Sequence, residues 1–385
     1  MYPMKTINHN KPTSFLSVLR HAMKKNSLCI IAPYYSKEKM NDGYLRRVYF
    51  SDTLLGSIPR MFLDFENPSK KTKFTRIDNN KIVINFSPNK IVRRIIPFII
   101  FLFCHRAYYE SVWQVRKKLL KFPFLKNYVD VHGSVPEEEF LGERYIAAQA
   151  YSEIEEITVK HANYLFCVSN AMVEHFHKKY GNTLKAKTIV LPIMDEKTFE
   201  TDNFPKKKWA EKPLIIYAGG IFEWQNISLM QDVITKHTDN VTYQVYTPTP
   251  DLFWKTWPSN NKQKNLSVRS ATPDYLFSKA YPKANYGFAL RDDIVVNNVA
   301  CPTKITEYLR FGIIPILKTE NVGDFVKLGM KYLSLENAYA GKYFNKKDYQ
   351  QIIDNNYEVL KKYSELCKKG IEEFNRVMKG DSDDK

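Results

Sequence analysis

Short apolar runs alternate with helical patterns along almost the whole chain, and the alternation stops and restarts once. In the first half, 27–32 (SLCIIA), 60–65, 81–86, 128–131, 164–168 and 188–191 read as strands. Helices fit 43–55, after an Asn41-Asp42-Gly43 turn, 142–161 and 170–180, with Ser169 as the N-cap of the last. Residues 195–213 lack apolar periodicity and are rich in Lys, Glu and Pro, which marks a linker. The pattern then resumes with strands at 214–218, 241–246, 266–270 and 284–290 and helices at 223–237 and 274–281. Short apolar strands alternating with helices imply parallel sheets covered on both faces. The expected fold class is α/β: two Rossmann-like parallel-sheet domains facing a central cleft. At 385 residues and 44% hydrophobic composition, both can hold a core. The boundaries expected are 1–194, linker 195–213, 214–346, and C-terminal helices over 347–385 that pack back on the first domain and end in a frayed tail.

The richest stretch is 302–317, PTKITEYLRFGIIPIL. Pro near a helix start and Gly past its end predict a short helix, a turn at Gly312 and a buried strand. Lys304, Glu307 and Tyr308 fall three and four residues apart, on one face. This is either a solvated Lys–Glu pair, a common and weak arrangement, or a grip on a polar anion at a helix N-terminus. The preceding strand (ANYGFAL) runs directly into Arg291, Asp292 and Asp293, followed by Asn297 and Asn298. Polar residues at the carboxyl end of an apolar strand favour the second reading.

Charge is the other strong signal. The net charge is +17, and all of the excess lies in residues 1–126, with 24 Lys and Arg against 7 Asp and Glu. Within 90–126, basic and aromatic residues interleave. Arg93, Arg94, Phe98, Phe101, Arg106, Lys117 and Lys118 are the expected membrane-facing set on an anionic bilayer. The other reading is a core helix with a basic flank. Nucleic acid is disfavoured, since no helix-turn-helix, zinc-finger or RNP pattern occurs. No apolar run reaches the length of a spanning helix, and no signal peptide is evident. Five scattered cysteines, none in a CxxC pair, suit a reducing compartment, and the eight histidines form no metal-ligand pattern, so no metal is expected.

The segments DVHGSVPEE (130–138), ANYLFCVSNAM (162–172), IIYAGGIFEWQN (215–226), NYGFALRD (285–292) and PTKITEYLRFGIIPIL occur in an order and spacing that resemble GT-B-fold glycosyltransferases of the family-4 type, which build bacterial surface polysaccharides such as capsule or lipopolysaccharide. The resemblance implies a metal-independent transferase with a nucleotide-sugar as substrate and no cofactor. Together with the basic first third, it points to a lipid-linked saccharide as acceptor and to a protein held peripherally at the cytoplasmic face of the membrane. It places Glu307 on the nucleotide ribose, Thr303 and Lys304 near the diphosphate, and Gly219 and Gly220 where the backbone approaches the donor. It gives His132, Arg291 and Lys304 catalytic roles. Two departures stand out. Val299 replaces the acid that family members carry eight residues before this Glu, leaving Asp292 or Asp293 as the possible sugar contacts. Where the family often has an Arg and a Lys after the Gly-rich turn, this chain has Phe222, Glu223, Trp224, Gln225 and Asn226. A degenerate GT-B partner subunit, a nucleotide-sugar epimerase of the same fold and an alditol-phosphate transferase are the alternatives. Glu137, Glu138 and Glu139 after Pro136 read as a helix start rather than as acid–base groups.

Overall fold

The structure is a computed structural model that describes residues 11–35, 43–193, 204–237, 239–258 and 263–380. The expected Asn41-Asp42 turn, residues 195–203 of the expected linker and the last five residues lie outside it. The chain divides into two compact units, Met1–Ile193 with Cys367–Lys385, and Met194–Leu366.

The first unit contains β1 (Lys11–Pro12), β2 (Leu28–Ile31), β3 (Arg60–Asp64), β4 (Lys73–Arg76), β5 (Lys81–Asn85), β6 (Arg106–Tyr109), β7 (Lys126–Val131), β8 (Tyr164–Cys167) and β9 (Lys187–Val190). They form one sheet in the order β1-β4-β5-β3-β2-β6-β7-β8-β9. All neighbours from β5 to β9 are parallel, and β4 and β1 add an antiparallel edge. Such strands are covered on both faces, so β2, β3 and β8 are buried at every position.

Strand β6 was not foreseen, although it is central. Its sequence, RAYY, is aromatic rather than aliphatic, and it sits inside the basic stretch read as interfacial. This corrects two expected membrane-facing residues. Arg106 starts β6, donates to the carbonyls of Asn26 (3.0 Å) and Met378 (2.7 Å), and stacks on Tyr128. Phe101 lies on the inner side of the Val92–Phe101 helix and is buried. The helix expected over 142–161 is found as Tyr145–His161; a separate helix, Val135–Leu141, precedes it, and Glu143, whose φ of 57° is left-handed, parts the two. Pro136 and the following acids open the first of them.

The second unit is wholly parallel. Strands β10 (Leu214–Ala218), β11 (Thr242–Tyr246), β12 (Leu266–Arg269), β13 (Tyr286–Phe288), β14 (Ile314–Leu317) and β15 (Leu333–Ser334) take the order β12-β11-β10-β13-β14-β15. The helix expected from Glu223 begins at Ile227, because Asn226 adopts φ 50° and breaks the run. The last helix, Lys346–Lys379, gives Tyr349, Ile353 and Tyr357 to the core of this unit and Phe374, Val377 and Met378 to the core of the first.

Candidate functional site

In the second sheet the strand order reverses between β10 and β13. Ligands of open α/β sheets bind at the carboxyl ends of strands at such a switch point. Gly219 and Gly220 follow β10, Arg291 lies three residues past β13, and the Thr303–Arg310 helix comes next. The sheet thus gathers residues about 70 positions apart in sequence at one edge.

Arg291 and Lys304 form a cation pair. Among the described residues no carboxylate lies within ion-pairing distance of either. The Lys304 ammonium sits 3.9 Å above the Tyr217 ring and donates to Gln225 Oε1 at 3.2 Å. Burial and the Arg291 charge pull its pKa down to about 7, and Glu307 offsets this in part. Burial also lowers the Arg291 pKa. The N-cap of the Thr303–Arg310 helix is Pro302, and no side chain caps it. Two cations with no carboxylate in ion-pairing distance among the described residues, beside an uncapped helix start, make an anion site.

Glu307 lies one turn along that helix, half-buried, and accepts from Tyr281 Oη at 2.8 Å. Burial, and then the Glu307 charge, push the Tyr281 pKa well up, so the phenol keeps its proton and donates. Tyr281 is itself fixed from behind: the Lys207 ammonium donates to the carbonyls of Tyr281 (2.7 Å) and Pro282 (2.9 Å). Neither Tyr281 nor Lys207 was singled out from sequence. Tyr308, expected on the same face as Glu307, is instead core: its hydroxyl donates to Phe288 O, and a Cβ on Gly287 would lie 2.4 Å from its ring.

The two glycines do more than was expected of them. A Cβ on Gly219 would stand 2.9 Å from Lys304 Nζ and 3.0 Å from Tyr217 Oη. A Cβ on Gly220 would stand 2.2 Å from the Phe222 ring. In both cases side chains of this protein already crowd the glycine, before any ligand is considered. Tyr217 Oη also donates to Gly220 O at 2.7 Å and pins the turn.

The remaining candidates have other partners. Asp292 pairs with Lys318, and Asp293 accepts from Asn298 and Asn321, which lowers its pKa. Val299 is buried. Thr303 is half-buried at the helix start, where its carbonyl accepts from the Thr306 hydroxyl at 2.7 Å.

In the first unit, His132 follows β7 and its Nδ1 lies 3.3 Å from Asp130 Oδ1. Asp130 also accepts from Arg47 Nε (2.9 Å) and Tyr108 Oη (2.7 Å). Burial pushes the Asp130 carboxyl up, but Arg47 and His132 outweigh it and hold it below the usual range. Glu110, at the end of β6, is buried beside this charge and is pushed well up, toward the neutral acid. Among the described residues, the Arg47 Nη atoms and Glu110 Oε2 have no hydrogen-bond partner. Of this network only His132 was picked out from sequence.

The basic segment is sorted by burial. Ile91, Ile95, Phe98 and Leu102 form one exposed apolar stripe along the Val92–Phe101 helix, with Phe103 and Phe124 exposed as well. Lys90, Arg94, Lys118 and Lys121 are exposed. Arg93 donates to the carbonyls of Ser87 and Phe65, and Lys117 pairs with Glu153 at 3.0 Å. No helix among the described residues is long and apolar enough to cross a membrane.

No protein-family model and no curated protein matches the sequence. Solved structures match it in fold. OtsA in its apo state gives a TM-score of 0.58 at 10% identity, over 91% of this chain and 99% of that one. An α,α-trehalose-phosphate synthase (UDP-forming) from Burkholderia vietnamiensis gives 0.57 at 8% identity, over 92% and 99%. Anabaena HepE in complex with UDP-glucose gives 0.56 at 9% identity, over 91% and 98%. At these identities the likeness establishes the fold, two Rossmann-like domains of the GT-B type.

Proposed function

We propose that the protein transfers a sugar from a nucleotide-sugar donor to an acceptor saccharide. The observation that carries this is the Arg291–Lys304 cation pair at an uncapped helix start, with a tyrosine-held carboxylate one turn away. The hard step is departure of a nucleoside diphosphate, which leaves with negative charge on its oxygens. Fixed cations and amides aimed at that charge lower the barrier without reorganising. Arg291, Lys304 and the first amides of the helix take that role, so the step needs no metal. Glu307 accepts the ribose hydroxyls, and Thr303 lies beside the phosphates. His132, whose Nδ1 lies 3.3 Å from Asp130 Oδ1, is the catalytic candidate of the first unit. The UDP-glucose bound to HepE supports a nucleotide-sugar donor on this fold. Calorimetric titration with nucleoside diphosphates tests the reading. Glu307→Ala and Arg291→Ala should each weaken binding by about tenfold or more. Unchanged affinity in both removes the assignment. Buried Val299, where an acid was expected, favours the degenerate-subunit reading, under which the wild-type protein binds no nucleotide.

The finer reading is a lipid-linked acceptor, as in polysaccharide assembly, reached by peripheral attachment to an anionic membrane on its cytoplasmic face. The exposed Ile91–Ile95–Phe98–Leu102 stripe with Arg94, Lys90, Lys118 and Lys121 supports it. In flotation with anionic liposomes, binding should weaken as salt rises and should be lost in Ile95→Asp/Phe98→Asp. Binding indifferent to salt and lipid charge counts against it.

A further inference from the structure

The loop after β10 carries a feature that the diphosphate reading leaves unused. The rings of Phe222 and Trp224 lie parallel, with centroids 4.8 Å apart and 5° between planes. Both are about half exposed, at 53% and 50%. The Phe222 ring lies close to Gly220, where a Cβ would stand 2.2 Å from it. Trp224 is followed by Gln225, whose side-chain oxygen takes the Lys304 ammonium. The residue next to the aromatic slab in the chain is thus hydrogen-bonded to one of the two cations, at the same switch point of the sheet.

An anion site with a flat apolar slab alongside fits a ligand in which a phosphate is bonded directly to a ring with an apolar face. A pyranose is such a ring: its C–H groups present an apolar face while its hydroxyls point outward. In a nucleotide-sugar the nucleobase is separated from the diphosphate by the ribose, whereas the glycosyl group is attached to the phosphate itself. We propose that Phe222 and Trp224 form the platform on which the glycosyl group of the donor packs. The proposal rests on the nucleotide-sugar reading above and adds the subsite for the transferred sugar. The two rings carry no charge, so this subsite reads the shape of the sugar's apolar face rather than adding charge on the phosphates.

The test compares matched probes by calorimetry: UDP with UDP-glucose, GDP with GDP-mannose, and ADP with ADP-glucose. Variants are Phe222→Ala, Trp224→Ala and the conservative Trp224→Phe, each checked by thermal melting. For the pair that the wild type binds, the alanine variants should weaken the nucleotide-sugar by about fivefold. The matching nucleoside diphosphate should change less than about twofold, and Trp224→Phe should restore most of the loss. Equal weakening of both probes, or no weakening of either, overturns the platform and leaves the donor reading standing. A wild type that binds none of the six overturns both.

Discussion

Lys304 holds its ammonium against the Tyr217 ring and close to Arg291, and its pKa falls from the usual lysine range to about 7. The sign of the consequence follows from linkage. In the unfolded chain the group titrates near 10.5, so between about 7 and 10.5 the unfolded state holds a proton that the folded state lacks. This site therefore adds stability as pH rises through that window and contributes none of it below 7. Anion binding runs the other way. A diphosphate beside Lys304 favours its charged form, so binding above pH 7 takes up a proton. Affinity for a nucleoside diphosphate should fall between pH 7 and 9, by at most about tenfold per pH unit. Calorimetry at pH 8 in buffers of different ionisation enthalpy should register uptake approaching one proton. Lys304→Arg, which stays charged, should flatten both effects. The Tyr281 hydroxyl donates to Glu307 and helps to fix its position. Tyr281→Phe keeps a ring that packs against Tyr308 and Phe311 but loses the donor at 2.8 Å. Nucleotide affinity should drop by about tenfold with the melting temperature within a few degrees, as calorimetry and thermal unfolding would show. Lys304 and Glu307 are legible in sequence because one helix places them a turn apart. Tyr281 lies 26 residues from Glu307, and Arg47 lies 83 from Asp130. Only the fold brings such pairs together, so no local pattern announces them.

At the scale of elements, hydrophobic runs announced the strands well where they are aliphatic. Strands β2, β10 and β14 lie within the segments expected for them. Sequence reading failed where burial is carried by tyrosine and by the stems of arginines. Strand β6 reads as a basic–aromatic surface until Arg106 is seen tied to two backbone carbonyls. The Val92–Phe101 stretch stayed between an interfacial segment and a core helix for a related reason: it shows apolar residues on both its buried and its exposed side, which blurs the helical period. Chain breaks at Glu143 and Asn226 were missed because each is a non-glycine residue with positive φ. The turn after the site helix shows how tightly an element end can be specified. Gly312 has φ 60°, and a Cβ there would lie 2.5 Å from Tyr357 Oη and 3.3 Å from Lys207 Cβ. Gly56 has φ 51° with nothing near its missing Cβ. Both Ala variants carry the backbone strain of about 1 kcal/mol, but only Gly312→Ala adds a clash. Chemical denaturation should show Gly312→Ala the more destabilised by about 1 kcal/mol or more, and equal losses would mean that Tyr357 and Lys207 yield freely.

For the whole molecule, the composition that set the expectations is unevenly used. The positive excess sits in the first third, where part of it is consumed internally, as at Arg47, Arg60 and Arg106, and part stays in water around the exposed stripe. The end of the chain has the opposite character. Residues from Cys367 onward belong to the first unit although they follow the second in sequence. Phe374 and Met378 are fully buried there, and the Phe374 ring meets Phe166 at 4.9 Å and Tyr108 at 6.2 Å. Arg106 donates to Met378 O, and Asn26 donates to Lys379 O at 2.9 Å. Ending the chain after Leu366 would thus open a cavity beneath β6, β7 and β8 and leave the Arg106 guanidinium short of an acceptor. Removing a buried phenylalanine side chain alone costs about 3–5 kcal/mol, a large share of the stability of a domain. The truncated protein should show rapid amide exchange in β2, β6, β7 and β8, while β10, β13 and β14 exchange as slowly as in the full chain, because their core draws on residues before Leu366. Phe374→Ala should give the same pattern in weaker form. Uniform loss of protection in both sheets would show instead that the two units fold as one cooperative body.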